Sequence, residues 1–342
     1  MNTSDRSPLT ILCITGWCRN GSTIIGNILN EVPGVFHVGE LHFLWRNSVG
    51  RGANGSCGCG RPLTECALWS EVLRTVRPDG LSAKAHADAV IRRQRSCVRT
   101  RHTWRVLRRG LYRDDVREHA ALMTRTYRTI AGLTDARVIV DTTKIPGEAA
   151  LLPYLDGVRP YYVHLVRDPR AVAQSWSREK DYCYVMSSPK STAYWHGFNV
   201  ASQAILRHHR ERSVFLRYED FIADPETTIG RLLRFCGADP ADNPVRGRTV
   251  ELHTNHTVTG NPDRFNTGTT LIRDRDDSWT TRLPRRARLA ATTLSWPLFG
   301  SYGYTRGGPL HAVPRTGTAG TAGTAGTRMN EERQKEDGWT WD

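Results

Sequence analysis

Two segments of the chain combine residue types that hold phosphate. The first, GWCRNGST, runs from Gly16 to Thr23, between the apolar run LTILCIT and the helical pattern TIIGNILN. A glycine turn between a strand and a helix aims successive backbone N–H groups, backed by the helix dipole, at an anion. Arg19 adds a bidentate donor inside the loop, and Asn20, Gly21, Ser22 and Thr23 add backbone and side-chain donors. The spacing is nearly that of a nucleoside-triphosphatase loop, but Ser22 stands where such a loop carries lysine. That lysine neutralises the β- and γ-phosphates, so a loop without it suits a donor with fewer phosphates in line. A glycine turn with no ligand is the plainer alternative.

The second segment, YYVHLVRDPRAVAQSW, puts Arg167 at the end of an apolar strand and Ser175 on the helix that follows. Both can reach a second, separate phosphate. Arg167 and Asp168 can equally form a local ion pair that caps the helix starting near Pro169.

The elements that must position these groups alternate. Apolar runs at 9–15, 137–141 (RVIVD), 161–166 (YYVHLV) and 213–217 (SVFLR) read as buried strands, with a shorter strand in 33–50. Helical patterns separate them, which predicts an α/β fold: three layers around a central parallel sheet, with right-handed crossovers. Residues of about 63–134 are helical throughout and form an insert. Residues 1–8 read as a disordered N-terminus and 9–309 as one domain. The stretch 310–342, with its TGTAGTAGTAGT repeat and charged end, reads as a disordered tail.

The net charge of +14 favours anionic ligands without choosing among them. Nine arginines between Arg92 and Arg113 suggest either a solvated helix face or a nucleic-acid-binding protein. Only Trp104 and Tyr112 interleave with them, and no nucleic-acid motif accompanies them. No apolar stretch reaches the roughly 20 residues of a membrane span, and the N-terminus lacks a secretory pattern. A cytoplasmic protein without stable membrane insertion is therefore expected. Cys57, Cys59 and Cys66 cluster in CGCGRPLTEC. They can hold zinc if a fourth ligand folds in, form a disulfide, or simply pack a glycine loop. The C-x-C-x6-C spacing differs from the paired knuckles of zinc modules.

With both phosphate segments in place, each after a strand, the chain resembles the PAPS-dependent sulfotransferase family. GWCRNGST is similar to its 5′-phosphosulfate loop, and LVRDPRAVAQSW to its 3′-phosphate element, an arginine with a serine eight residues later. The resemblance spans roughly 9–305. GELHFLW, the CGCG stretch, DTTKIP, WHGFN, RYEDFIADP and HTVTGNPDRF resemble a prokaryotic branch nearer the carbohydrate-type enzymes than the phenol-type ones.

The resemblance implies a P-loop-like domain and a PAPS donor that leaves as 3′,5′-ADP, with no metal required. It implies a sulfate ester on a hydroxyl of a small-molecule, sugar or lipid acceptor. Glu40, in an E-x-H-F context, becomes the base, with His42 ranked below it. Lys144 becomes the group that meets charge on the leaving oxygen. Asn261 and Arg264 become donor ligands closing from the C-terminal side, although this segment departs from the phenol-type R-K-G motif. Acceptor choice falls to the helical insert and to 181–190. A P-loop kinase or NTPase is the rival, favoured by Asp141 at the end of its strand as a Walker B aspartate would be.

Overall fold

A computed structural model describes residues 7–52, 54–180, 184–273 and 277–305. The expected disordered tail at 310–342, and residues 1–6 of the expected disordered N-terminus, lie outside the described residues. So does the start of the 181–190 loop.

Five strands form a parallel sheet: β1 Leu9–Thr15, β2 Val35–Gly39, β3 Val138–Asp141, β4 Val158–Val166 and β5 Ser213–Arg217. Their order is β2-β3-β1-β4-β5. β1 is central, with Thr10 opposite Val138 on one side and Arg159 on the other. Ile11 and Cys13 join one apolar cluster, whereas Leu12 and Ile14 join another. Both faces of β1 are thus buried, which is why LTILCIT reads as a continuous apolar run and not as an alternating one.

β4 starts three residues earlier than its apolar run suggests, taking in Val158, Arg159 and Pro160. β5 pairs with β4 only from Tyr162 onward, so Pro160 sits where one edge has no partner strand.

α1 (Ser22–Leu29) follows the glycine loop and packs with the second cluster. The insert comprises α2 (Ala67–Val76), α3 (Ala83–Cys97), α4 (Thr103–Arg109) and α5 (Asp114–Thr134), which cover the opposite face. Within the arginine run, Arg93 pairs with Glu118 and Arg113 with Asp115, as on a solvated helix face.

α6 (Pro169–Ser177) and α7 (Ser188–His208) continue the alternation between β4 and β5. Near the C-terminus, Thr249–Leu252 (β6) and Gly268–Leu271 (β7) pair antiparallel, an element the sequence patterning did not suggest. Among the described residues, no helix is long and apolar enough to cross a membrane.

Candidate active site

The carboxyl ends of all five parallel strands feed one open cleft of about 160 Å³. Open α/β sheets bind ligands at these ends because the strands deliver loops there from both sides of the sheet. Cys18, Arg19, Gly21, Ser22 and Thr23 follow β1; Glu40 follows β2; Lys144 follows β3; Arg167 follows β4; Tyr218 follows β5. Ser175 and Trp176 come from α6, and Gly260, Asn261 and Asp263 from the connection between β6 and β7.

α1 starts without a side-chain cap and without an acidic residue in its first turn. Its first N–H groups therefore keep their partial positive charge for an anion in the cleft. Two contacts shape the loop. Asn20 is buried; its amide donates to the Leu165 carbonyl at 2.8 Å, and its side-chain oxygen accepts from Ser22 N–H at 3.3 Å. Gly21 has φ 90°, and a Cβ there would come within 2.3 Å of the Tyr218 ring. Glycine is required on both counts.

Arg19 (φ 69°) and Lys144 (φ 65°) also hold left-handed backbone. Such a conformation costs a non-glycine residue roughly 1–2 kcal/mol. Both line the cleft, where strain of this kind tends to collect because the side chain must point one way.

Lys144 Nζ donates to Glu40 Oε1 at 2.6 Å and to the Thr142 carbonyl at 2.7 Å. Both side chains are buried, and Glu40 Oε2 has no hydrogen-bond partner. A buried carboxylate oxygen without a partner carries a cost unless something else fills the place. Gly39 makes this arrangement possible: it holds φ 76°, with Val258 N and Thr259 O within 2.9 Å of where a Cβ would sit.

Asp168 does not pair with Arg167. It caps α6 through Arg170 N–H and binds the Arg170 guanidinium, which leaves Arg167 to line the cleft. Arg167 lies 4.8 Å over the Tyr218 ring and donates to the Arg19 carbonyl at 3.3 Å. Ser175 Oγ lies 3.1 Å from Lys180 Nζ, so a third cation stands beside this end of the cleft. Arg19 sits 4.9 Å over Trp176, which stacks on Trp17.

Of the residues expected from the sequence, Arg19, Gly21, Ser22, Thr23, Glu40, Lys144, Arg167, Ser175 and Asn261 meet in this cleft. Asn20, His42 and Arg264 are not among its lining residues. Asn20 shapes the loop from beneath, its amide spent on Leu165. His42 is bound to Glu148, which also accepts from His119 at 3.0 Å. Burial alone would raise the Glu148 carboxyl, but the His42 and His119 contacts hold it well below the usual carboxylate range. Arg264 is fully buried and bonded to the Thr257 carbonyl (3.1 Å), the Ser56 carbonyl (3.0 Å) and Asn54 Oδ1 (2.5 Å). Its charge supports the loop behind Asn261 and does not line the cleft.

Asp141 is likewise committed. Its oxygens accept from Tyr127 Oη (2.6 Å) and Thr143 N–H (2.7 Å), and burial pushes its carboxyl up to about 6. Trp176, Tyr218, Gly260 and Asp263 line the cleft without having been singled out.

No curated protein sequence matches the chain. Among solved structures, the sulfotransferase domain of the Synechococcus PCC 7002 olefin synthase is similar at 19% identity and TM-score 0.48, covering 90% of this chain and 99% of that one. A sulfotransferase domain from the curacin biosynthetic pathway is similar at 20% identity and TM-score 0.45, covering 85% and 99%. Sulfotransferase STF9 from Mycobacterium avium shows 14% identity and TM-score 0.39, covering 69% and 66%. The sulfotransferase family model matches residues 12–242, from within β1 to beyond β5, and the chain belongs to the sulfotransferase family.

Proposed function

We propose that the chain transfers a sulfuryl group from PAPS to a hydroxyl of a small-molecule, sugar or lipid acceptor. The products are 3′,5′-ADP and a sulfate ester. One observation carries this reading: the loop before α1, the Arg167–Ser175 element and the Glu40–Lys144 pair open into the same cleft. The fit to a nucleotide with two separate anionic groups rests on Gly21, where any Cβ would fill the cradle, and on Arg19, Lys144 and Arg167 around it.

PAPS supplies an activated sulfuryl group on a good leaving phosphate. The N–H groups of Gly21 and Thr23, with the Ser22 and Thr23 hydroxyls, would hold its 5′ end, and Arg167 with Ser175 its 3′-phosphate. Lys144 Nζ would meet the charge that grows on the bridging oxygen, a role worth most in a site that excludes water. Glu40 Oε2 would accept the acceptor's hydroxyl proton, while Lys144 at 2.6 Å fixes the other carboxylate oxygen. The transfer is in line, so the loop and Glu40 must hold the two reactants on opposite sides of the sulfur.

A triphosphatase reading has less support. Ser22 replaces the loop lysine, and the Asp141 oxygens are taken by Tyr127 and Thr143. Incubating the chain with PAPS labelled in its sulfuryl group and metabolite extracts tests the proposal. A labelled sulfate ester whose formation requires the chain is expected. Label that stays on PAPS across phenolic, sugar and lipid fractions, with γ-phosphate transfer from ATP instead, would overturn it.

A further inference from the structure

Outside the cleft, among the described residues, one group of side chains has the chemistry of a metal centre. Cys57, Cys59 and Cys66 lie in the loop before α2, and His256 lies beyond β6, 190 residues after Cys66. The fold brings His256 Nδ1 to 3.3 Å from Cys66 Sγ and 3.5 Å from Cys57 Sγ. All four ligand atoms lie within 4.8 Å of one another. In a tetrahedral zinc site, bonds of about 2.3 Å to sulfur and about 2.0 Å to nitrogen set neighbouring ligands about 3.5–3.8 Å apart. The two nitrogen–sulfur separations are close to that edge length. A disulfide would join two of the sulfurs at about 2.0 Å and would leave the imidazole without a purpose.

We propose that Cys57, Cys59, Cys66 and His256 form a closed, structural zinc site. Three thiolates and one imidazole suit zinc better than a hard, oxygen-seeking cation. Four protein ligands leave no open coordination position, so the site is built for holding segments together and not for reaction.

The surroundings fit that role. Cys57 and Cys66 are completely buried, and Cys59 and His256 are partly so. The Cys59 N–H donates to Cys57 Sγ at 3.5 Å, the kind of outer contact that orients a thiolate. Trp69 Nε1 donates to the His256 carbonyl at 2.7 Å, and Gly58 N–H to the Thr257 carbonyl at 2.9 Å. Arg264 bridges the same two segments through the Ser56 and Thr257 carbonyls, each next to a ligand. Its guanidinium brings a positive charge beside a centre that three thiolates would make net negative.

The site has a consequence for the cleft. His256 is followed within a few residues by Gly260, Asn261 and Asp263, which form one cleft wall. Zinc would tie that wall to the cysteine loop and the insert. This inference stands whether or not the donor is PAPS.

Metal analysis of the full-length chain, purified without chelators or affinity metals, tests it. About one zinc per chain is expected, and cobalt exchanged into the protein should show intense thiolate charge-transfer bands with tetrahedral d–d transitions. Cys59→Ser should weaken zinc retention by more than the roughly 10–100-fold that losing an outer-shell partner costs, whereas Cys97→Ser should retain it. Because ligand variants can fail to fold, the wild-type cobalt spectrum decides independently. Absence of bound metal with the thiols free, a Cys57–Cys66 disulfide found by peptide mapping, or a six-coordinate cobalt spectrum would each overturn the proposal.

Discussion

Replacing Glu40 by glutamine separates its two tasks. One oxygen holds Lys144 at 2.6 Å and the other has no partner. Glutamine keeps an acceptor for the ammonium but cannot take a proton. General-base catalysis contributes about 10²–10⁴ in rate, equivalent to about 3–5 kcal/mol of barrier. The stability cost runs separately. Removing one partner of a buried ion pair costs about 3–5 kcal/mol when the other charge is left uncompensated. Here the Thr142 carbonyl at 2.7 Å and the glutamine oxygen still bind Lys144, so a loss of at most about 3 kcal/mol is expected. Against a typical stability of about 5–15 kcal/mol, the variant stays folded. Sulfuryl transfer from labelled PAPS to the acceptor found in extracts should therefore fall about 10²–10⁴-fold. Calorimetric affinity for 3′,5′-ADP should stay within about threefold, because the base acts on the acceptor side. A rate within about tenfold of wild type, in a folded protein, would refute the role given to Glu40.

Other residues make different demands. Arg167→Ala removes a charged donor worth about 1.5–3 kcal/mol and should weaken 3′,5′-ADP binding about 10–150-fold by calorimetry, with Ser175→Ala weakening it less. Gly21→Ala places a Cβ 2.3 Å from the Tyr218 ring at φ 90°; it should lower the melting temperature and abolish measurable 3′,5′-ADP binding. An unchanged affinity would show that the loop is not the donor cradle. His164 is buried, and burial lowers its imidazole to about 4. The unfolded chain takes up that proton near pH 6.5 and the native chain does not, so stability is lost as pH falls from about 6.5 to about 4, on the order of 3 kcal/mol from this residue. Melting temperature measured against pH should fall less steeply over that window in His164→Gln.

Much of this architecture was visible in the order of residues. Strands buried on both faces announce themselves as unbroken apolar runs, and functional groups follow directly at their carboxyl ends. Arg167 could be named for that reason, whereas Glu40 and Lys144 were legible only through the family resemblance, although they too follow strands. Pro160 hid the first residues of β4, because a proline in a central strand is ordinarily excluded.

Contacts between distant segments left no local trace. His256 is 190 residues from Cys66, and no spacing rule joins them. Arg264 was expected as a donor ligand only through the resemblance of HTVTGNPDRF to the family. In the fold it binds the Ser56 and Thr257 carbonyls and Asn54 Oδ1, partners that only the folded chain assembles. The same holds for His42, whose partner Glu148 lies 106 residues away. Trp176 and Tyr218 carried no local signal of a site, and Tyr218 reaches the cleft only because Gly21 opposite it lacks a Cβ.

A cleft lined by Arg19, Lys144 and Arg167 should bind a 3′-phosphorylated adenosine donor without help from a triphosphate-type magnesium site. Calorimetric titration of the full-length chain with 3′,5′-ADP, with added EDTA and then with Mg²⁺, tests it most directly. Saturable binding that is indifferent to Mg²⁺, not displaced by ATP, and lost in Arg167→Ala is expected. Binding of ATP that requires Mg²⁺, with no heat from 3′,5′-ADP, would contradict it.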